Sequence, residues 1–246
     1  MMAFTIAWRE LRNLFLSPLA WVLLFAVQLI HGWLFAVYVE GVLAAPPNGV
    51  TGVTDLVAGN LFGVASFLML LVVPLLSMRL FSEERRNGSL TLLLSAPVRV
   101  SEIVLGKYLG LMGLLALMVA LLTAMPLSLA AGTQLDYGKL AAEGLGLLLL
   151  LSAFAAAGLF MSTLTRQPVV AAIASFGLLM FLWVISSLGR GNLHLSSGLH
   201  YLSLLDHYFS LLRGTFDSAD VIFYLLFSIV FLSLSMWRLD SARLQA

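Results

Sequence analysis

Long apolar stretches alternate with short polar segments along the whole chain. Six of these stretches are each close to the roughly 20 residues with which a helix crosses the hydrocarbon core of a bilayer. They cover 19–39, 61–80, 108–130, 144–163, 168–189 and 221–237. Because lipid offers no hydrogen-bond partner, the backbone of such a segment must pair with itself, as it does in a helix. The pattern predicts an all-α integral membrane protein with six transmembrane helices.

The first 18 residues separate apolar and basic side chains onto different sides of a helix. Arg9 and Arg12 lie away from one apolar face. That face carries Phe4, Trp8, Leu11 and Phe15. A basic amphipathic helix with tryptophan on its apolar side tends to lie in the plane of the membrane. We therefore predict an interfacial helix over 1–18, with Pro18 marking the turn into the first span. A charged flank that only sets the topology is the alternative.

A second amphipathic segment, the linker 189–220, precedes the last apolar stretch. Leucine and phenylalanine recur in it at helical spacing, at Leu199, Leu202, Leu205, Phe209 and Leu212. We predict one or two short helices at the outer interface or dipping into it. His194, His200 and His207 also lie in this linker. Interfacial histidines without a ligand role are far commoner than metal ligands, so we predict no metal site.

The composition agrees with a membrane protein and excludes several other classes. Hydrophobic residues make up 61% of the chain and charged residues 10%, whereas soluble domains carry roughly 25% charged residues. We interpret 1–246 as one membrane domain without a cleavable signal peptide, since no apolar run precedes Leu19. The chain has no cysteine, which excludes a disulfide scaffold, a thiolate zinc site and a cysteine nucleophile. Its net charge of +1 indicates no nucleic-acid partner.

The distribution of Lys and Arg predicts the orientation of the chain. If the N-terminus is inside, only three of the 13 basic residues face outward, namely Lys139, Arg190 and Arg213. The other ten face the cytoplasm: Arg9, Arg12, Arg79, Arg85, Arg86, Arg99, Lys107, Arg166, Arg238 and Arg243. This bias predicts a multi-pass protein of the bacterial inner membrane with both termini in the cytoplasm. His31, inside the first stretch, either lines a cavity or bonds to a neighbouring backbone carbonyl.

The cytoplasmic loop 81–103 is the most informative segment. A cluster of four charges at 83–86 leads into the turn signal Asn87-Gly88. Ser89 is placed to cap a short leucine-rich helix, which Pro97 ends. A further helix begins at Ser101 and enters the third span. A surface with both charges and leucines suits docking to a soluble partner; a solvated charge run is the alternative.

The run EERRNGSLTLLLSAPVRVSEIVLGKYLG resembles the signature of ABC-2 type permeases, the membrane-spanning subunits of ABC transporters. The matching positions are Glu83, Glu84, Arg85, Gly88, Ser89, Leu93, Leu94, Pro97, Gly106 and Lys107. Ser89 and Thr91 stand where that family usually has threonine and an acidic residue. The C-terminal part is similar to the permeases of gliding-motility ABC transporters, the GldF type. That likeness rests on His207, Phe209, Arg213, Gly214, Asp220, Tyr224 and Leu239.

The resemblance implies an architecture and a set of partners. Its layout has six helices, an N-terminal connecting helix, a cytoplasmic coupling helix between spans 2 and 3, and short re-entrant helices before span 6. Two permease subunits, either identical or sister subunits, face each other above two ATPase subunits. An auxiliary outer-domain protein is a further candidate partner. The residues implied in ATPase docking are Glu83, Glu84, Arg85, Gly88, Ser89, Leu90, Leu93, Leu94, Pro97 and Ser101.

The chain offers no nucleotide site of its own. A P-loop requires a glycine five positions before its Gly-Lys pair and Ser or Thr after it, but Ser101 and Tyr108 flank Gly106-Lys107 in these places. ATP and Mg²⁺ are therefore expected on a partner chain, and we predict no catalytic residue, metal or cofactor here. The sequence predicts the permease of an ABC exporter of unidentified substrate. The alternative is a mechanotransmitting or scaffolding subunit that passes ATPase strokes to an outer partner.

Overall fold

Helices account for nearly all of the structure, a computed structural model that describes residues 2–44, 52–90, 93, 98–188, 203–215 and 217–243. No strand occurs among these residues. The helices are α1 (Met2–Leu16), α2 (Pro18–Ala44), α3 (Asn60–Ser77), α4 (Arg79–Arg86), α5 (Val100–Leu127), α6 (Tyr137–Leu164), α7 (Pro168–Leu188), α8 (Leu204–Leu212) and α9 (Ser218–Arg243). A π-helical turn, Asp55–Gly59, precedes α3, and a 3₁₀ turn, Ser128–Ala131, follows α5.

The positions of the predicted spans agree with the helices, although the evidence for one span is weaker. Five helical segments are long and apolar enough to cross a bilayer. They are Pro18–Ala44, Asp55–Arg86, Val100–Ala131, Tyr137–Leu164 and Ser218–Ser241. In α7 the apolar part that can be described, Pro168–Val184, is shorter. An all-α, multi-pass membrane protein is thus confirmed, while its sixth span stays a prediction.

Helix α6 forms the centre of the bundle. In the most apolar 18-residue stretch of α6, 72% of the residues are buried, whereas the corresponding fraction for α2, at the periphery, is 11%. It packs on α3, α5, α7, α8 and α9. The closest approach is at Gly158, where an added Cβ would lie 2.9 Å from the Cβ of Ser77 on α3. Because glycine has no side chain, the backbones of α3 and α6 approach each other tightly near the C-terminal ends of both helices.

Both predicted amphipathic segments contain a helix. In α1, Phe4 and Trp8 are exposed while Ala7 is buried against the bundle. In the linker, α8 packs between α6 and α7, and Leu205 and Tyr208 are buried. The remainder of the linker at 189–202, with Leu199, Leu202, His194 and His200, lies outside the described residues.

Candidate functional site

A buried lysine joins three helices at the end of the bundle predicted to be cytoplasmic. The Nζ atom of Lys107, on α5, lies 2.8 Å from Oε1 of Glu84 on α4 and 3.2 Å from Oε2 of Glu10 on α1. The same ammonium lies 5.3 Å from the ring centroid of Phe81. We call Lys107, Glu10 and Glu84 the Lys107 cluster. The cluster links α1 to α4 and α5, which are far from α1 in the sequence.

The burial of Lys107 makes this link strong. Only 3% of its side chain is exposed, against 14% for Glu10 and 22% for Glu84. A charge taken out of water is tolerated when it is paired and hydrogen-bonded, and removal of one partner from such a pair costs several kcal/mol. The cluster therefore fixes α4 and α1 on α5, since the departure of either carboxylate would leave a buried ammonium with only one of its two partners.

A row of glycines on α5 allows α1 to approach closely enough for this contact. An added Cβ at Gly106 would lie 2.7 Å from Ile6 Cβ, and one at Gly110 would lie 2.9 Å from the carbonyl oxygen of Ala7. At Gly113 the nearest atom is a methyl of Leu11, at 3.1 Å. Gly106, Gly110 and Gly113 recur at helical spacing, so they lie on one face of α5. The structure shows that it receives the N-terminal helix.

Replacing Gly110 by alanine should loosen α1. The new methyl would lie 2.8 Å from Glu10 Cβ and 3.2 Å from the amide nitrogen of Leu11, so helix backbone has to move. We expect the free energy of unfolding to fall by about 1–3 kcal/mol, measured by denaturant titration in mixed micelles. Gly177→Ala on α7, where nothing lies within 4 Å, is the control. Equal stability of the two variants would contradict the tight α1–α5 contact.

Helix α4 is capped by a side chain from another helix. Its own N-cap residue, Met78, makes no side-chain capping bond. Instead, Oγ of Ser162 on α6 accepts hydrogen bonds from the amides of Phe81 at 2.9 Å and Ser82 at 3.1 Å. The Ser162 hydroxyl donates to the carbonyl of Met78 at 3.1 Å. Since the first amides of a helix lack partners within it, Ser162 fixes the break between α3 and α4.

The loop after α4 partly agrees with the sequence analysis. Gly88 has φ +72°, as the predicted Asn-Gly turn requires. The hydroxyl of Ser89 lies 3.4 Å from the carbonyl of Glu84, and the amides that it was predicted to cap lie outside the described residues. Helix α5 begins at Val100, one residue before the predicted start, where the Glu102 carboxylate accepts from the amide of Arg99 at 3.3 Å.

The structure distributes the predicted docking residues over different environments. Glu83, Gly88 and Ser89 are exposed. Arg85, Leu93 and Ser101 are half-buried, and Leu90 is 6% exposed within the core. The carboxylate of Glu84 points to Lys107 rather than to solvent. Leu94 and Pro97 lie outside the described residues.

Sequence reasoning missed two residues of this site and the role of a third. Glu10 and Ser162 were not singled out, and Lys107 was noted only as the end of a motif. A signal for Glu10 was available, because it follows Ala3, Ile6 and Ala7 at helical spacing and so faces the small residues of α5. No comparable signal exists for Ser162, whose role depends on the packing of α6 against α4.

The opposite end of the bundle carries a second polar contact. Nδ1 of His207 on α8 lies 2.6 Å from Oδ1 of Asp220 on α9, and its ring stacks on Phe223 with centroids 4.2 Å apart. No group of three metal-ligating side chains occurs in the part of the chain that is described. His31 lies 2.7 Å from the Val27 carbonyl, the backbone bond considered for it above.

Comparison with known proteins gives one match. The family model described as ABC-2 family transporter protein matches residues 4–242, nearly the whole chain. No curated protein matches significantly. The matched range includes both the Lys107 cluster and the contact between His207 and Asp220.

Proposed function

The chain belongs to the ABC-2 family of transporter proteins, and from that premise we propose that it is the permease subunit of an exporter that is driven by a separate ATPase. Its family identifies it as the membrane subunit of an ABC system and implies an ABC ATPase as partner. The finer proposal is that two such subunits enclose a path for an unidentified substrate. Both termini and loop 81–103 then face the cytoplasm.

The Lys107 cluster is the observation that supports this proposal. Helix α4 follows the span α3 after a single residue, Met78, and forms the first part of the loop proposed to dock the ATPase. The cluster ties α4 to α5 and α1, and Ser162 ties the start of α4 to α6. A push on the loop therefore reaches three helices of the bundle at once, through contacts too stiff to absorb it.

The proposed docking surface consists of the exposed part of this loop. Glu83, Gly88 and Ser89 are exposed there, and Arg85 is half-buried. Glu84 is assigned a different role, since its carboxylate holds Lys107. ATP-driven closure of the ATPases would favour the permease conformation that binds the closed form better, which is all that coupling requires.

Glu83→Arg should weaken the complex with the ATPase without disturbing the bundle. Glu83 makes no ion pair in the described structure and is exposed, so charge reversal acts on the docking surface alone. We expect about tenfold weaker co-purification of the ATPase, the effect of one reversed interface charge of roughly 1.4 kcal/mol.

Asp240→Arg is the matched control, because it reverses an exposed carboxylate at the inner end of α9. An unchanged complex in Glu83→Arg, or equal losses in both variants, would contradict the proposed docking surface. Reversal of Glu84 is unsuitable for this purpose, since it would break the Lys107 cluster at the same time.

Transport is preferred to mechanical transmission because the outer segments that can be described are short. Only the residues from Gly132 to Asp136 separate the 3₁₀ turn after α5 from α6. A subunit that acts on an outer partner would instead be expected to present a sizeable outer surface. Export of a labelled substrate from vesicles by the permease and its ATPase alone would support transport. A strict requirement for an outer-domain protein without solute movement would support the alternative.

A further inference from the structure

A buried carboxyl group lies near the start of α6, at the end of the bundle opposite the Lys107 cluster. Glu143 is fully buried. Neither of its carboxylate oxygens accepts a hydrogen bond from any residue that the structure describes. An ionised carboxylate in such a place costs far more than a neutral carboxyl group, because the charge loses its hydration without a compensating bond.

The donors that could hold Glu143 as an anion are engaged elsewhere. Lys139 and Tyr208 both interact electrostatically with its carboxyl group. However, the ammonium of Lys139, one turn earlier on α6, forms an ion pair with Asp55. The hydroxyl of Tyr208, on α8, donates to the carbonyl oxygen of Phe62 at 2.8 Å. The arrangement therefore favours the neutral form of Glu143.

The other described helices that pack on α6 bring no further positive charge to this place. Helices α3 and α7 contain no Asp, Glu, Lys or Arg. The charged residues of α4 and α5 lie at the opposite end of the bundle, and Asp220 of α9 pairs with His207. On α6 itself, Asp136 repels a negative charge at Glu143.

One short element both covers Glu143 and holds Lys139. The π-helical turn Asp55–Gly59 begins with the carboxylate that pairs with Lys139. It ends at Gly59, where an added Cβ would lie 3.7 Å from Oε1 of Glu143. Movement of this turn would therefore uncover the carboxyl group and release the ammonium together. Lys139 and Glu143 have the i,i+4 spacing at which side chains of a helix can pair, and π-helical turns are frequent at functional sites.

We propose that Glu143 is a proton-binding site coupled to the opening of the outer end of the bundle. In the described arrangement its carboxyl group carries the proton. When the π-helical turn moves away, the O–H bond breaks, the electron pair stays on the carboxylate, and the proton passes to water at the outer face. Lys139 then leaves Asp55 and pairs with the new carboxylate. A proton needs no cavity, so full burial of Glu143 suits this ligand, whereas a metal ion or an organic cation would need space.

Infrared spectroscopy of the purified full chain tests this proposal directly. The protein is kept in a maltoside detergent, which has no carbonyl group of its own. At neutral pH we expect the parent to show the carbonyl band of a protonated carboxyl group. Glu143→Gln, a neutral replacement of the same shape, should lose this band. Glu40→Gln, which changes an exposed glutamate on α2, is the control and should keep it.

A second pair of variants tests the exchange of Lys139 between the two carboxylates. Asp55→Asn removes the present partner of the ammonium, so Lys139 should turn to Glu143 and most of the band should disappear. Asp55→Asn combined with Lys139→Met should restore the band, because no ammonium is then left to stabilise the anion.

Three outcomes would overturn the proposal. They are the absence of the band from the parent, its persistence in a Glu143→Gln variant that is well folded by circular dichroism, and its full intensity in Asp55→Asn. The measurements need neither the ATPase nor a transported substrate. Their failure would therefore leave the proposed function unaffected.

Discussion

Lys107→Met is expected to be the most damaging single substitution at the end of the bundle that carries loop 81–103. It leaves Glu10 and Glu84, each mostly buried, without the ammonium that they share. Breaking a buried ion pair from one side costs about 3–5 kcal/mol, and the two carboxylates then also repel each other. We expect this loss in denaturant titrations in mixed micelles. Limited trypsin digestion should also cut faster at the exposed Arg9 and Arg12, because α1 is released.

A triple variant distinguishes the cost of unpaired buried charges from the cost of losing the packing of the Lys107 side chain. Lys107→Met combined with Glu10→Met and Glu84→Met removes all three charges, and replacing buried ionic groups by apolar residues of similar volume is often neutral or stabilising. We expect most of the lost free energy to return. A Lys107→Met protein as stable as the parent, with unchanged trypsin cleavage, would refute the role of the cluster.

Ser162→Ala should give the second-largest loss. It removes the acceptor of two amides at the start of α4 in a fully buried place, while the Met78 carbonyl keeps only its bond from the Ser82 hydroxyl. Each unsatisfied buried polar group costs about 1–3 kcal/mol, so with partial relaxation we expect about 2–4 kcal/mol. Because the lost bonds cap α4, amide hydrogen exchange should rise at Phe81 and Ser82 before it rises in α6.

The control for this prediction is Ser175→Ala on α7. That serine is equally buried, but its hydroxyl makes one bond, to the Ala171 carbonyl within its own helix at 2.7 Å. A serine that bonds back to its own helix contributes little to stability. Similar losses in the two variants, or uniform exchange changes, would show that Ser162 does not hold α4 in place.

The sequence predicts the helices well because lipid imposes a simple rule on them. Apolar runs of about 20 residues must be helical, and each predicted stretch overlaps a helix, although 61–80 crosses the break at Met78 and 108–130 runs into the 3₁₀ turn Ser128–Ala131. A helix over the first residues was predictable as well, and α1 covers Met2–Leu16; its position in the plane of the membrane stays a prediction. The count of spans is less certain, because α7 is short in its described apolar part.

The candidate site was predictable only in part. The motif pointed to loop 81–103, which contains Glu84, whereas the partners of this segment, Glu10, Lys107 and Ser162, are set by contacts distant in the sequence. Glu84 belongs to the same charge run as Glu83, and no local pattern tells which of them turns inward. The structure decides this by the position of Lys107, one helix away. Similarly, nothing in the sequence around Ser162 indicates that it caps the start of α4.

The contact between Glu10 and Lys107 also has a consequence for biosynthesis. The two residues are 97 positions apart, so at 5–20 residues per second the ribosome supplies the lysine about 5–20 s after the glutamate. During that delay α1 lacks its main packing partner, α5. Its exposed Phe4 and Trp8 allow α1 to bind the surface of the bilayer during this time. The nascent chain can therefore keep α1 bound to the membrane surface until α5, with its row of glycines, has been inserted.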